Sequence, residues 1–113
     1  MAITAITDAT FEEIALKSPI PVLVDFWATW CYPCKAVAPL LEEMSTQYEG
    51  RVQFLKLNTE DNLVTPTKYG IRGLPTLLFL KEGKEVGRIS GNIPNIRTEL
   101  KKNLEVVSRQ VDK

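Results

Sequence analysis

The chain has 113 residues, 44% of them hydrophobic and 25% charged, the size and composition of one soluble globular domain spanning residues 1–113. Fourteen basic residues balance fourteen acidic ones, so no net field draws nucleic acid or an anionic membrane surface. No stretch approaches the roughly 20 apolar residues of a membrane span, and Met1–Asp8 lacks the order of a secretory signal; the expected setting is a reducing compartment, the cytoplasm.

Ala2 to Thr7 is short and rich in β-branched residues, as an edge strand would be. Thr7 or Asp8 is placed to cap a following helix, with Glu12 and Glu13 near its positive end. Phe11, Ile14 and Ala15 give that helix an apolar face, and Ser18-Pro19 stops it. Val22 to Trp27 is an apolar run that predicts a strand buried on both faces, followed by a loop over Ala28–Tyr32.

A helix is expected from Pro33 to about Tyr48, with proline at its first position. Val37, Leu40, Leu41, Met44 and Tyr48 form its apolar stripe, and Pro39 should kink it. Val52–Leu57 reads as a second buried strand, Thr59–Asn62 as a polar loop and Val64–Tyr69 as a short helix. Thr76–Leu80 is a third apolar strand. A hairpin turn over Lys81–Lys84 leads into Glu85–Ser90. Ile96, Leu100, Leu104, Val107 and Val111 then mark a closing amphipathic helix with Lys101 and Lys102 on its outer face. The order β-α-β-α-β-α-β-β-α predicts an α/β fold, a mixed sheet with helices on both faces. Sites in such sheets lie beyond the carboxyl ends of strands, which is where Cys31 falls.

Cys31 and Cys34 are the only cysteines. Their C-x-x-C spacing at a helix start puts both sulfurs on one turn. Cys31 precedes the helix, where unpaired N–H groups and the dipole favour its thiolate. A cycle follows: Cys31 attacks a disulfide to form a mixed disulfide, then Cys34, deeper and expected to be less exposed, attacks Cys31 and frees the reduced target. A purely structural bridge gains little from so short a loop and is disfavoured in a reducing compartment. Zinc would need two chains, because there is no histidine and no third cysteine; a cluster shared between chains meets the same limit.

Asp25 interrupts the apolar run Val22–Trp27. Burial there should raise its pKa toward neutrality and suit proton exchange with a thiol, unless the position faces solvent. Trp27 reads equally as core packing or as part of the site. Trp30, beside Cys31, reads as a partly exposed wall.

The segments Val24–Cys31, Pro33–Lys35, Ala38-Pro39, Lys56–Asn58, Lys68–Gly73 and Pro75-Thr76 occur together and in order. In them the chain resembles the thioredoxin family over nearly its full length, in particular bacterial and chloroplast m-type members. The resemblance implies a thioredoxin fold, a five-stranded mixed sheet flanked by four helices, and a protein-disulfide reductase. It implies Cys31 as the attacking thiol and Cys34 as the resolving one, with Asp25 as the buried acid that helps deprotonate Cys34 through water. Lys56 is similar to a lysine near that acid, although a surface lysine at a strand edge would read the same. Pro75 resembles the family's cis-proline facing the cysteines. Leu74 before it would lend backbone groups to an extended target, and Gly91 would keep the docking surface flat. Trp30, Tyr32 and Pro33 complete the implied docking face. No metal or prosthetic group is implied. The implied partners are a thioredoxin reductase, NADPH- or ferredoxin-dependent, and disulfide-containing targets such as peroxiredoxins, methionine sulfoxide reductases and ribonucleotide reductase. The chain is expected to act as a monomer.

One position departs from the family pattern: the usual Trp-Cys-Gly-Pro-Cys is here Trp-Cys-Tyr-Pro-Cys. The Tyr32 phenol, with a usual pKa near 10, is neutral at physiological pH and adds bulk rather than charge beside Cys31. A residue before proline is pushed out of the α region, so tyrosine is expected to be tolerated in that loop. Two other readings use the same chain: a dithiol oxidase or isomerase at a different redox poise, and a thiol-independent binding subunit. A Cys31→Ser, Cys34→Ser double variant that kept the biological role would favour the last.

Overall fold

In the computed structural model, described over residues 3–109, five strands form one sheet. They are β1 (Ile3–Ile6), β2 (Val22–Trp27), β3 (Gln53–Asn58), β4 (Thr76–Lys81) and β5 (Lys84–Ser90), in the spatial order β1-β3-β2-β4-β5. β1, β3 and β2 run parallel; β4 is antiparallel to β2 and β5 to β4. Four helical segments connect or cover them: α1 (Glu12–Leu16), α2 (Tyr32–Gln47), α3 (Val64–Lys68) and α4 (Ile96–Ser108). This is the expected α/β thioredoxin-type arrangement, with five strands and four helices among the described residues.

Two apolar layers flank the sheet. Leu23, Phe54, Leu77 and Phe79 meet Val37, Leu41 and Met44 of α2 and Leu100 and Leu104 of α4. Val22, Val24, Phe26, Leu55, Leu57, Leu78 and Leu80 point the other way, onto Ile6, Phe11 and Ala15. Successive strand residues face opposite sides, so the unbroken apolar run of β2 reflects burial on both faces. The same alternation puts Asp25 and Trp27 on the α2 side with Leu23.

Several boundaries differ from the sequence expectation. Ala2, the start of the expected first strand, and Val111, the last residue of the closing stripe, lie outside the described residues. The first helix is a single π-helical turn closed by Lys17 N–H donating to the Glu12 carbonyl at 3.1 Å. Asp8 does not cap it. Its carboxylate accepts from the N–H groups of Val64 and Thr65 at 3.0 and 2.8 Å and so caps α3. The Thr7 hydroxyl takes the Thr10 N–H instead, at 3.3 Å.

Proline 33 does not hold Tyr32 out of the helix: α2 begins at Tyr32, with Pro33 as its second residue. The first four N–H groups of a helix have no internal partner, so the missing donor leaves no gap there. Pro39 lies inside α2, which is assigned without a break across it. The β4–β5 turn is only Glu82-Gly83, both with positive φ (54° and 78°), as a tight two-residue hairpin requires.

Candidate functional site

Strand β2 ends at Trp27, and Ala28–Trp30 lead to Cys31, the N-cap of the 16-residue helix α2. Cys31 and Cys34 are joined by a disulfide with Cα atoms 5.3 Å apart. The backbone N–H of Cys34 points at Cys31 Sγ, 3.1 Å away. Negative charge on that sulfur therefore receives a direct donor and the positive end of the helix dipole.

The expected difference in exposure between the two cysteines is absent in this disulfide state. Cys31 is 2% exposed and Cys34 6%, because the bridge folds both residues against Ala28, with Trp27 and Leu74 packed beside them. What distinguishes them is position: Cys31 caps the helix and Cys34 lies within its first turn. Trp30 and Tyr32, by contrast, are 69% and 79% exposed, so the bridge is flanked by two aromatic side chains standing in solvent. Pro33 is exposed as well.

Behind the bridge, Asp25, Trp27, Cys34, Lys35, Ala38 and Lys56 line a cavity of about 160 Å³. Asp25 is not on a solvent-facing position: burial pushes its pKa up to about 7, against the opposing pull of the Lys56 charge. Its Oδ1 and the Trp27 indole N–H are buried and have no hydrogen-bond partner among the described residues. Lys56 is half-buried and sits directly beside Asp25 in the β2–β3 register. Its strand is an inner one, so it is not a strand-edge lysine. Its ammonium lies 5.7 Å from the centre of the Trp27 ring, within reach of a cation–π attraction. Trp27 thus belongs both to the packing around the bridge and to the cavity wall.

On the other side of the bridge the Leu74–Pro75 bond is cis. Pro75 is buried and its carbonyl accepts the Gly91 N–H at 2.7 Å. Among the described residues no hydrogen bond occupies the backbone of Leu74, which packs against the cysteine pair. Gly91 has φ +83°, and a Cβ there would meet nothing within 4 Å. Its side of the surface therefore stays open, and its backbone conformation suits glycine.

One contributor has no signature in the local sequence pattern. The Glu60 carboxylate accepts from the Thr29 N–H and hydroxyl at 2.8 and 2.7 Å. These hydrogen bonds, the backbone one first, hold its pKa below the usual carboxylate range. The carboxylate thereby ties down the loop that delivers Cys31. The signal was available in principle, since parallel pairing of β2 with β3 places the two exit loops side by side.

Comparison with known proteins fits this arrangement. A family model described as thioredoxin matches residues 2–106. A thioredoxin of Synechocystis sp. is 50% identical over 100 residues, covering 88% of this chain and 92% of that one. Thioredoxin 1 of Nostoc sp. is 45% identical over 104 residues, 92% and 95% of the two chains. A chloroplastic M-type thioredoxin of Brassica napus is 45% identical over 92 residues, 81% of this chain and 52% of that one.

Proposed function

The chain belongs to the thioredoxin family, as a thiol–disulfide oxidoreductase with a Cys-x-x-Cys redox pair, and from that premise we propose that it reduces disulfides of other proteins with Cys31 attacking and Cys34 resolving. The observation that carries the assignment is the Cys34 N–H aimed at Cys31 Sγ at the N-cap of a long helix. Only one of the two sulfurs receives that stabilisation.

The cycle starts from the dithiol. Cys31 thiolate attacks one sulfur of the target disulfide; a Cys31–target S–S bond forms, the target bond breaks, and the second target sulfur leaves as thiolate. Cys34 then loses its proton and attacks Cys31 Sγ. The Cys31–Cys34 bond forms, the mixed disulfide breaks and the target departs with both sulfurs reduced. Two electrons have passed from the pair to the target. Asp25, in the same cavity as Cys34 and with a pKa near 7, accepts that proton at neutral pH. The cavity has room for a bridging water. Lys56 beside Asp25 keeps the carboxylate that takes up this proton from being wholly unpaired.

The target's chain lies extended against the free backbone groups of Leu74, next to Pro75, with Gly91 leaving that surface flat and Trp30 and Pro33 on the opposite rim. Tyr32, at the rim beside Cys31, acts mainly on partner choice. A thioredoxin reductase returns the pair to the dithiol, and peroxiredoxins are among the targets. The chain works as a single-domain monomer in a reducing compartment such as the cytoplasm.

Insulin reduction by dithiothreitol tests the activity: the protein should accelerate it, and candidate reductases added singly should replace dithiothreitol. A Cys34→Ser variant should trap targets as mixed disulfides on Cys31. No acceleration, or trapping only through Cys34 in the Cys31→Ser variant, would overturn the scheme. For Tyr32, redox potential and reductase-coupled rates are compared with Tyr32→Gly; identical values for every partner would remove its proposed role.

A further inference from the structure

Resting on the reading that a protein target lies extended along Leu74 and Pro75, we propose that Arg88 is a positioning residue for protein-disulfide reduction: it holds the loop over residues 70–75 in the place that receives the target. Arg88 lies on β5, opposite Leu78 in the β4–β5 register, and so on the sheet face against which Tyr69, Ile71 and Leu74 pack. Its guanidinium donates to both carboxylate oxygens of Glu85, from Nε at 2.8 Å and from Nη2 at 3.0 Å. Nη2 also donates to the Tyr69 carbonyl at 2.8 Å. An ion pair at a surface contributes little by itself. Here the carboxylate aims a rigid fork whose third bond goes to a carbonyl 19 residues away in the chain.

That carbonyl is the one the local structure leaves over. Tyr69 is the C-cap of α3, and the chain leaves the helix through Gly70, whose φ is +64°. The Gly70 N–H donates to the Thr67 carbonyl at 3.1 Å and the Ile71 N–H to the Pro66 carbonyl at 2.9 Å, the pair of bonds with which many helices end at a glycine. Neither uses the Tyr69 carbonyl, one of the terminal acceptors without an intrahelical donor. Arg88 takes it. The Tyr69 ring meets Phe11 edge-on at 5.6 Å, so this residue is held by both its ring and its backbone.

Beyond Ile71 the loop has few bonds of its own. Among the described residues the N–H groups of Arg72, Gly73 and Leu74 donate to no protein acceptor, and the Thr76 hydroxyl reaches back to the Gly73 carbonyl at 2.6 Å. The stretch is therefore fixed mainly at its ends. Arg88 fixes the first end through Tyr69. Gly91, just past the end of β5, fixes the second by donating to the Pro75 carbonyl at 2.7 Å. One strand thus splints both ends of the segment that carries Leu74 and Pro75. A loop fixed before binding costs little ordering when a target pairs with it. A small disulfide that reaches Cys31 without pairing with Leu74 does not depend on that order.

Arg88→Met tests this, because it keeps the apolar stem of the side chain and removes its donors. The variant should show a KM for insulin about fivefold above wild type, the cost of ordering the loop on binding, with kcat unchanged. Its Ile71 amide should exchange hydrogen faster. The pre-reduced variant should react with a small non-peptide disulfide, 5,5′-dithiobis(2-nitrobenzoate), at the wild-type rate. Unchanged exchange at Ile71, or a loss shared equally by insulin and the small disulfide, overturns the inference. Faster exchange with an unchanged KM would overturn the docking of targets on Leu74, and the inference with it. Should Arg88→Met not fold, Glu85→Gln reads the same split, since the guanidinium then loses the charge that aims it. Failure of wild type to reduce either disulfide would instead overturn the exchange reading itself.

Discussion

Asp25 carries a consequence for stability as well as for proton transfer. Its pKa is about 7 in the folded chain against 3.8 for the free side chain. Between those values the folded protein keeps a proton that the unfolded chain has released, so this group's contribution to stability falls as pH rises from about 4 to 7 and is constant above. That difference in pKa corresponds to on the order of 4 kcal/mol. Asp25→Asn, which cannot ionise, should therefore be more stable than the wild type at about pH 8.5 and near parity at about pH 4, measured by urea unfolding of the disulfide form. An equal difference at both pH values would show that Asp25 is not the group responsible. Asp25 was legible in the sequence because an acid inside an apolar strand demands a reason. The equal burial of Cys31 and Cys34 was not, because it depends on how the bridge packs against Ala28, which no spacing rule encodes.

Elements were legible where one periodicity dominated: β2, β4 and α2 fall within a residue of their expected bounds, and α4 begins at the expected Ile96. They blurred where a tertiary partner won. Asp8 reads as the cap of its own helix, yet its carboxylate goes to α3, and the helix it was meant to start shrinks to one π turn. Loops at the site show the same dependence on partners distant in sequence. Removing the carboxylate that holds Thr29, by Glu60→Ala, should speed hydrogen exchange at the Thr29 amide while leaving amides of β2 unchanged; unchanged exchange at Thr29 would mean the loop is held by other contacts. Gly91 and Gly73 make a second comparison, since a Cβ at either meets open space but only Gly91 has positive φ. Gly91→Ala should lose roughly 1–2 kcal/mol, the left-handed penalty of an L-residue. Gly73→Ala should change stability by no more than about 0.5 kcal/mol in denaturant unfolding. Equal losses would mean that the φ of Gly91 relaxes freely.

At the scale of the whole molecule, the closing helix seals the layer that also contains the disulfide helix, and its approach to the sheet is set at β5. A Cβ on Gly87 would lie 2.8 Å from Asn103 Oδ1 of α4, with Phe79 at ordinary contact distance. Asn103 is not free to swing without loss, since its amide donates to the Glu99 carbonyl at 2.9 Å. Gly87 also lies at the irregular step in the β4–β5 register, where Phe79 pairs with Gly87 but Leu80 with Glu85, leaving Val86 as the extra residue of a bulge. The sequence shows a glycine inside a strand and no more than that; the reason for it is on another element. Gly87→Ala should thus destabilise by about 1 kcal/mol, the lower end of overpacking, because the obstacle is the tip of a side chain. The φ of Gly87 is not in the left-handed region, so alanine should otherwise gain about 0.4–1 kcal/mol by restricting the unfolded chain. In an Asn103→Ala background the same Gly87→Ala change should accordingly become neutral or stabilising. A double-mutant cycle in urea measures this, and a coupling near zero would show that α4 is not positioned by Gly87 and Asn103.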